Sequence, residues 1–132
     1  MLKVEHIGIA VKSLSQSIPL FEKLLQTPCY KTESVESENV TTAFFQKGES
    51  KIELLESTAA DGVIARFIEK RGEGLHHLAF EVADIESEMR RLKEEGFTLL
   101  NDKPKMGADG KLVCFVHPKD TASVLIEICQ QA

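Results

Sequence analysis

The chain has no long apolar run, no basic cluster and only three cysteines, and each shortage closes off a class of function. No stretch approaches the roughly 18 apolar residues that a membrane-spanning helix needs. The opening residues MLKVEHIGIAVKSL carry neither the apolar core of a secretion signal nor the Arg/Ser-rich character of a transit peptide. The expectation is a soluble, untargeted, cytoplasmic protein with no membrane partner. Basic residues never run longer than a pair such as Arg90-Arg91, and 16 of them stand against 21 acidic residues for a formal charge of -5. That balance argues against nucleic acid as a partner. Cys29, Cys114 and Cys129 are an odd count without C-x-x-C spacing, each beside apolar or aromatic neighbours, so they read as reduced, buried residues. There is also no G-x-S-x-G and no Gly-rich phosphate loop, which removes those nucleophile and nucleotide classes.

What is present is a patterned chain of 132 residues, 42% hydrophobic, long enough for one domain with a sizeable core. VEHIGIAV, residues 4 to 11, reads as a strand. Leu14, Ile18, Phe21, Leu24 and Leu25 then recur at helical spacing between Ser13 and Gln26. Ser13 or Ser15 is the expected cap, and Pro19 is expected to make the first turns irregular or delay the helix. Residues 29–35, 40–46 and 51–56 read as strands, with Lys47-Gly48-Glu49-Ser50 as a tight hairpin. This βαβββ pattern then recurs. At an offset of 71 residues, His6 falls on His77, Val11 on Val82 and Ala43-Phe44-Phe45 on Cys114-Phe115-Val116. At an offset of 74, Ile52-Glu53-Leu54 falls on Ile126-Glu127-Ile128, the difference lying in a longer hairpin around Pro118 to Ala122. Such a repeat argues for duplication around one continuous core. The expected organisation is one domain spanning 1–132: module one over about 1–58, a linking helix over about 61–71 ended by Gly72, and module two over about 74–132.

The repeat also carries the chemistry. His6 and His77 stand near the start of the first strand of each module, and Glu53 and Glu127 on the last strand. Alternation groups His6 with Gly8 and Ala10, a face of small residues that leaves room for a ligand. Glu53 and Glu127 interrupt apolar runs, where a carboxylate is costly to bury unless it is paired or bound to a metal. Two imidazoles and two carboxylates suit one divalent first-row ion such as Co, Mn, Ni or Zn. His76 falls on the opposite strand face from His77 and is expected to be structural or to support the site from behind, and His117 to belong to a turn.

The doubled βαβββ unit with a His and a Glu in each half resembles the vicinal oxygen chelate superfamily. Over VEHIGIAV, KIELLES, FIEKRGEGLHHLAFEV, KMGADGKLVCFVHPKD and VLIEI, the chain is most similar to its methylmalonyl-CoA epimerase family. The resemblance implies an α+β glyoxalase-like fold, two tandem βαβββ modules forming a curved mixed sheet around a metal site. It implies an isomerase that interconverts (2R)- and (2S)-methylmalonyl-CoA by removing the α-proton and returning one to the other face. His6, Glu53, His77 and Glu127 match the family's metal positions. Glu127 is the better candidate for a base, with Glu53 a candidate for the second. Some family members carry a Glu where this chain has Thr42, and threonine cannot replace it as a base at neutral pH. An acyl-CoA substrate and a homodimer are implied as partners, and Lys119, Lys70 or Arg71 could meet CoA phosphates. A glyoxalase I would use the same four ligands on a glutathione hemithioacetal, with GEGLHH and HPKD arguing against it. An extradiol dioxygenase would leave one Glu unexplained, and a non-enzymatic binding protein of this fold would lack the ligand set.

Overall fold

A computed structural model describes all of residues 1–132. Eight strands and three α-helices follow one another as β1 (Lys3–Ala10), α1 (Leu14–Leu25), β2 (Lys31–Val35), β3 (Val40–Lys47), β4 (Ser50–Ser57), α2 (Val63–Arg71), β5 (Gly74–Glu81), α3 (Ile85–Glu94), β6 (Lys105–Met106), β7 (Lys111–Val116) and β8 (Ile126–Gln131). No helix is long and apolar enough to cross a membrane. The chain divides into two compact units, Ile7–His76 and Met1–His6 with His77–Ala132, so that β1 begins in one and ends in the other.

In the unit Ile7–His76 the strand order is β2-β3-β4 followed by the later part of β1. Both β2–β3 and β3–β4 pair antiparallel, and Lys47 faces Ser50 across a two-residue turn in which Gly48 takes a φ of 62°, a conformation that glycine adopts without strain. Leu14, Ile18, Phe21 and Leu25 of α1 pack with Ala43, Phe45 and Leu54. Leu24 does not join them and is 69% exposed. At about 100° per residue it lies roughly 90° from the centre of the stripe through the other four. Pro19 neither delays the helix nor keeps it from starting at Leu14. The Leu14 N–H donates to the Glu56 carboxylate at 2.6 Å and the Ser17 N–H to the Ser13 carbonyl at 2.9 Å, so the first turn is held from outside and from within. Ser13 occupies the cap position without making a side-chain cap bond.

In the other unit the order runs from the start of β1 through β5-β8-β7-β6. β5 and β8 pair parallel, β7 and β8 antiparallel. Asp84 caps α3 by accepting the Ser87 N–H at 3.2 Å. Ile85, Met89 and Leu92 of α3, at helical spacing, pack on Cys114, Val116 and Ile128. The alternate residues Ala79, Val113, Phe115 and Cys129 form a separate cluster, as the pleat requires. Glu127, between Ile126 and Ile128, therefore points away from α3.

The strand registers reproduce the repeat. Phe44 faces Glu53 and Ala43 faces Leu54 in one unit; Phe115 faces Glu127 and Cys114 faces Ile128 in the other.

Candidate metal centre

The start of β1 brings Glu5 and His6, β5 brings His77, and β8 brings Glu127. All four are buried, at 3%, 5%, 8% and 5% exposure. His6 Nε2 and His77 Nε2 lie 2.9 Å apart, and Glu127 Oε1 lies 3.7 Å from the first and 3.4 Å from the second. The two rings meet edge to face at 89°, and His77 also packs edge-on against Phe115. His6, His77 and Glu127 form one of the clusters able to hold a metal ion.

This donor set fits a divalent cation. Ligands about 2.0–2.2 Å from a metal are about 3 Å apart at adjacent octahedral corners. The nitrogen–nitrogen separation of 2.9 Å has that size, while the Glu127 oxygen, at 3.4 and 3.7 Å from the two nitrogens, stands farther out. Two neutral imidazoles facing through Nε2 can use one N–H and one lone pair between them; a cation engages both lone pairs.

Glu53 sits on β4 at 4% exposure, opposite Phe44, and Thr42 on β3 at 1% exposure, opposite Leu55. His76 packs edge-on against Phe67, with ring centroids 4.9 Å apart. Burial, and after it the charge of Arg71, lowers its pKa to about 4, so it stands neutral as a packing residue. His117 belongs to a turn as expected: its Nδ1 accepts the Lys119 N–H at 3.0 Å at the head of the 3₁₀ turn Pro118–Asp120. The three cysteines are free; Cys114 and Cys129 are buried and Cys29 is half-buried. Burial first, then the Glu127 charge, pushes the Cys129 thiol up to about 12, and burial raises Cys114 as well. A thiol so placed is a poor nucleophile. Lys119, Lys70 and Arg71 are exposed.

Glu5 was not singled out in the sequence, although its Oε1 lies 2.7 Å from His6 Nδ1. Alternation assigns it to the strand face away from His6. The Nδ1 edge of an imidazole lies close to its own backbone, however, and a preceding glutamate can reach it. The available signal was the one that marked Glu53 and Glu127, a carboxylate in an otherwise apolar strand. Lys111, 3.9 Å from Glu5 Oε2, gave no such signal.

The sequence matches the family described as the glyoxalase/bleomycin resistance protein/dioxygenase superfamily over residues 5–115. The chain belongs to that superfamily. Among superfamily relatives it is 38% identical to the uncharacterised protein YqjC of Bacillus subtilis, across 98% of this chain and 93% of that one. It is 33% identical to the human mitochondrial methylmalonyl-CoA epimerase, across 97% of this chain and 73% of that one. Its structure is similar to that of Streptomyces coelicolor methylmalonyl-CoA epimerase (Q60A) in complex with 2-nitronate-propionyl-CoA. There the TM-score is 0.94 at 30% identity, covering 100% of this chain and 99% of the other. The α+β glyoxalase-like fold expected from the sequence is the fold found.

Proposed function

We propose that the chain is a cytoplasmic methylmalonyl-CoA epimerase, which interconverts the (2R) and (2S) forms of its acyl-CoA substrate. The observation that carries this reading is the buried convergence of His6, His77 and Glu127, with 2.9 Å between the imidazole nitrogens, in a chain similar to methylmalonyl-CoA epimerases over nearly its whole length. His6, His77, Glu127 and, as the fourth ligand, Glu53 are assigned to the metal. A bound divalent ion of the Co, Mn, Ni or Zn type supplies Lewis-acid stabilisation of the negative charge that develops on the thioester oxygen.

The remaining chemistry falls to the carboxylates. Glu127 is assigned as the base on one face: the α-carbon–hydrogen bond breaks, the proton passes to a Glu127 oxygen, and the electron pair delocalises into the thioester. Oε1 is the Glu127 oxygen that faces both imidazoles, and the second oxygen is assigned the proton. Glu53 is assigned the opposite face, where its oxygen turned away from the ion passes a proton taken up from solvent to the α-carbon. Proton exchange with water then resets the pair. Thr42 takes no part as a base, since a hydroxyl does not accept a proton at neutral pH. Burial of both carboxylates keeps competing water away from the proton being moved. Two copies per particle are proposed by analogy with the superfamily.

Incubating the metal-loaded protein with (2R)-methylmalonyl-CoA in deuterated water tests this reading by mass spectrometry. Incorporation of one α-deuterium together with formation of the (2S) form is expected. A substrate that keeps its α-hydrogen overturns the epimerase.

A further inference from the structure

The strand that delivers His6 also delivers a buried carboxylate to the back of its ring. Glu5 is 3% exposed, its Oε1 is 2.7 Å from His6 Nδ1, and its Oε2 is 3.9 Å from Lys111 Nζ. Lys111 is itself 8% exposed and donates to Gln131 Oε1 at 2.8 Å. We propose that Glu5, steadied by Lys111, is a positioning residue that holds the neutral His6 ring in its Nδ1–H tautomer and so turns the Nε2 lone pair toward His77 and Glu127. The inference rests on the metal-site reading above and adds residues that this reading leaves unused.

A carboxylate oxygen accepts hydrogen bonds, so a ring nitrogen 2.7 Å from it carries the proton. A neutral imidazole has one N–H, so Nε2 is left with its lone pair, and Nε2 is the atom 2.9 Å from His77. A histidine ring free in water prefers the opposite arrangement, with the proton on Nε2, and would have to change tautomer before binding a cation through that atom. The two ring nitrogens diverge, so Glu5 meets the ring on the edge away from the convergence point and acts on the site through His6. An uncompensated buried carboxylate would be costly, and the Lys111 ammonium supplies the opposite charge. Carboxylate partners of metal-binding histidines fix the tautomer and ring orientation in this way, and removing one typically costs about 10- to 100-fold in metal affinity.

The experiment uses the full chain and two readouts besides activity. In metal-free, ¹⁵N-labelled protein, long-range proton–nitrogen spectra read the His6 tautomer directly; Co²⁺ affinity is read by competition with a chelator. Wild type is expected to show His6 protonated on Nδ1. In Glu5→Leu, which leaves no acceptor for the ring, the Nε2–H form is expected to appear, with Co²⁺ bound about 10- to 100-fold more weakly. Lys111→Met is expected to weaken binding and Lys111→Arg to preserve it, which keeps the inference testable if Glu5→Leu does not fold. A wild-type His6 protonated on Nε2 overturns the inference. So does a folded Glu5→Leu whose tautomer and affinity are those of wild type, or equal affinity in the two Lys111 variants. Wild-type protein that binds no Co²⁺ overturns the metal-site reading of the function, and the tautomer then decides this inference by itself.

Discussion

The two halves agree where a candidate ligand is carried and differ beside it. Phe44 faces Glu53 across β3–β4 and Phe115 faces Glu127 across β7–β8, in the same register and with both carboxylates buried. The residue before each ligand histidine has diverged: Glu5 contacts the His6 ring, whereas His76 packs against Phe67. The turns have diverged as well, a two-residue Gly48-Glu49 connection in one half and a longer stretch containing the 3₁₀ turn Pro118–Asp120 in the other. Register is the conserved quantity because a slip of one residue would send each glutamate to the opposite face of the sheet. The neighbours carry no such constraint, which leaves room for the different duties proposed for the two glutamates.

The sharpest way to break that symmetry is to remove the charge from each glutamate in turn. Metal-saturated Glu127→Gln is expected to invert substrate at least about a hundredfold more slowly than wild type, the lower end of what losing a general base costs. Exchange of the α-proton from one enantiomer should survive while full inversion is lost. Recovery of inversion at high metal would make Glu127 a ligand alone. Glu53→Gln should retain exchange from the opposite enantiomer, and identical behaviour of the two variants would erase the division of labour.

Stability should show the symmetry intact. Leu54 and Ile128 occupy equivalent positions beside the two glutamates, and both are 0% exposed. Replacing either with Ala is expected to cost about 2–5 kcal/mol in chemical denaturation. A cost confined to one half would mean that the halves are not equivalent in packing. The histidines come next: His6→Ala and His77→Ala should each bind metal at least about tenfold more weakly, measured as metal content after dialysis. Unchanged content in His77→Ala would remove it from the site. The smallest effect is expected at the cysteines, where replacing Cys29, Cys114 and Cys129 together with Ala or Ser should leave turnover within a few-fold of wild type. Loss of turnover in a folded triple variant would reveal a thiol role.

The meeting of His6, His77 and Glu127 was legible in the sequence because histidine and glutamate each recur, at offsets of 71 and 74 residues, and a repeat filters out residues that are polar for local reasons. Strand and helix periodicity gave the βαβββ order for the same reason. Leu24 was assigned to the buried stripe because an adjacent apolar pair, Leu24-Leu25, does not by itself say which member faces inward. The effect of Pro19 was overestimated because Glu56, which holds the Leu14 N–H, is distant in the chain. The two-residue strand β6 and the 3₁₀ turns are too short to show a period. Glu5 and Lys111 stayed hidden because their roles depend on which strands lie side by side. β1, β5, β8 and β7 are neighbours in that order, and no local pattern announces that a lysine on β7 reaches a glutamate on β1.

His6 and His77 are proposed to present two imidazole nitrogens, with a Glu127 oxygen beside them, to one cation. X-ray absorption at the metal edge of the Co²⁺-loaded protein tests this most directly. One ion per chain with two histidine rings among its ligands is expected, with loss of one ring's scattering in His77→Ala. A coordination shell of oxygens without imidazole, or a shell unchanged in His77→Ala, would contradict it.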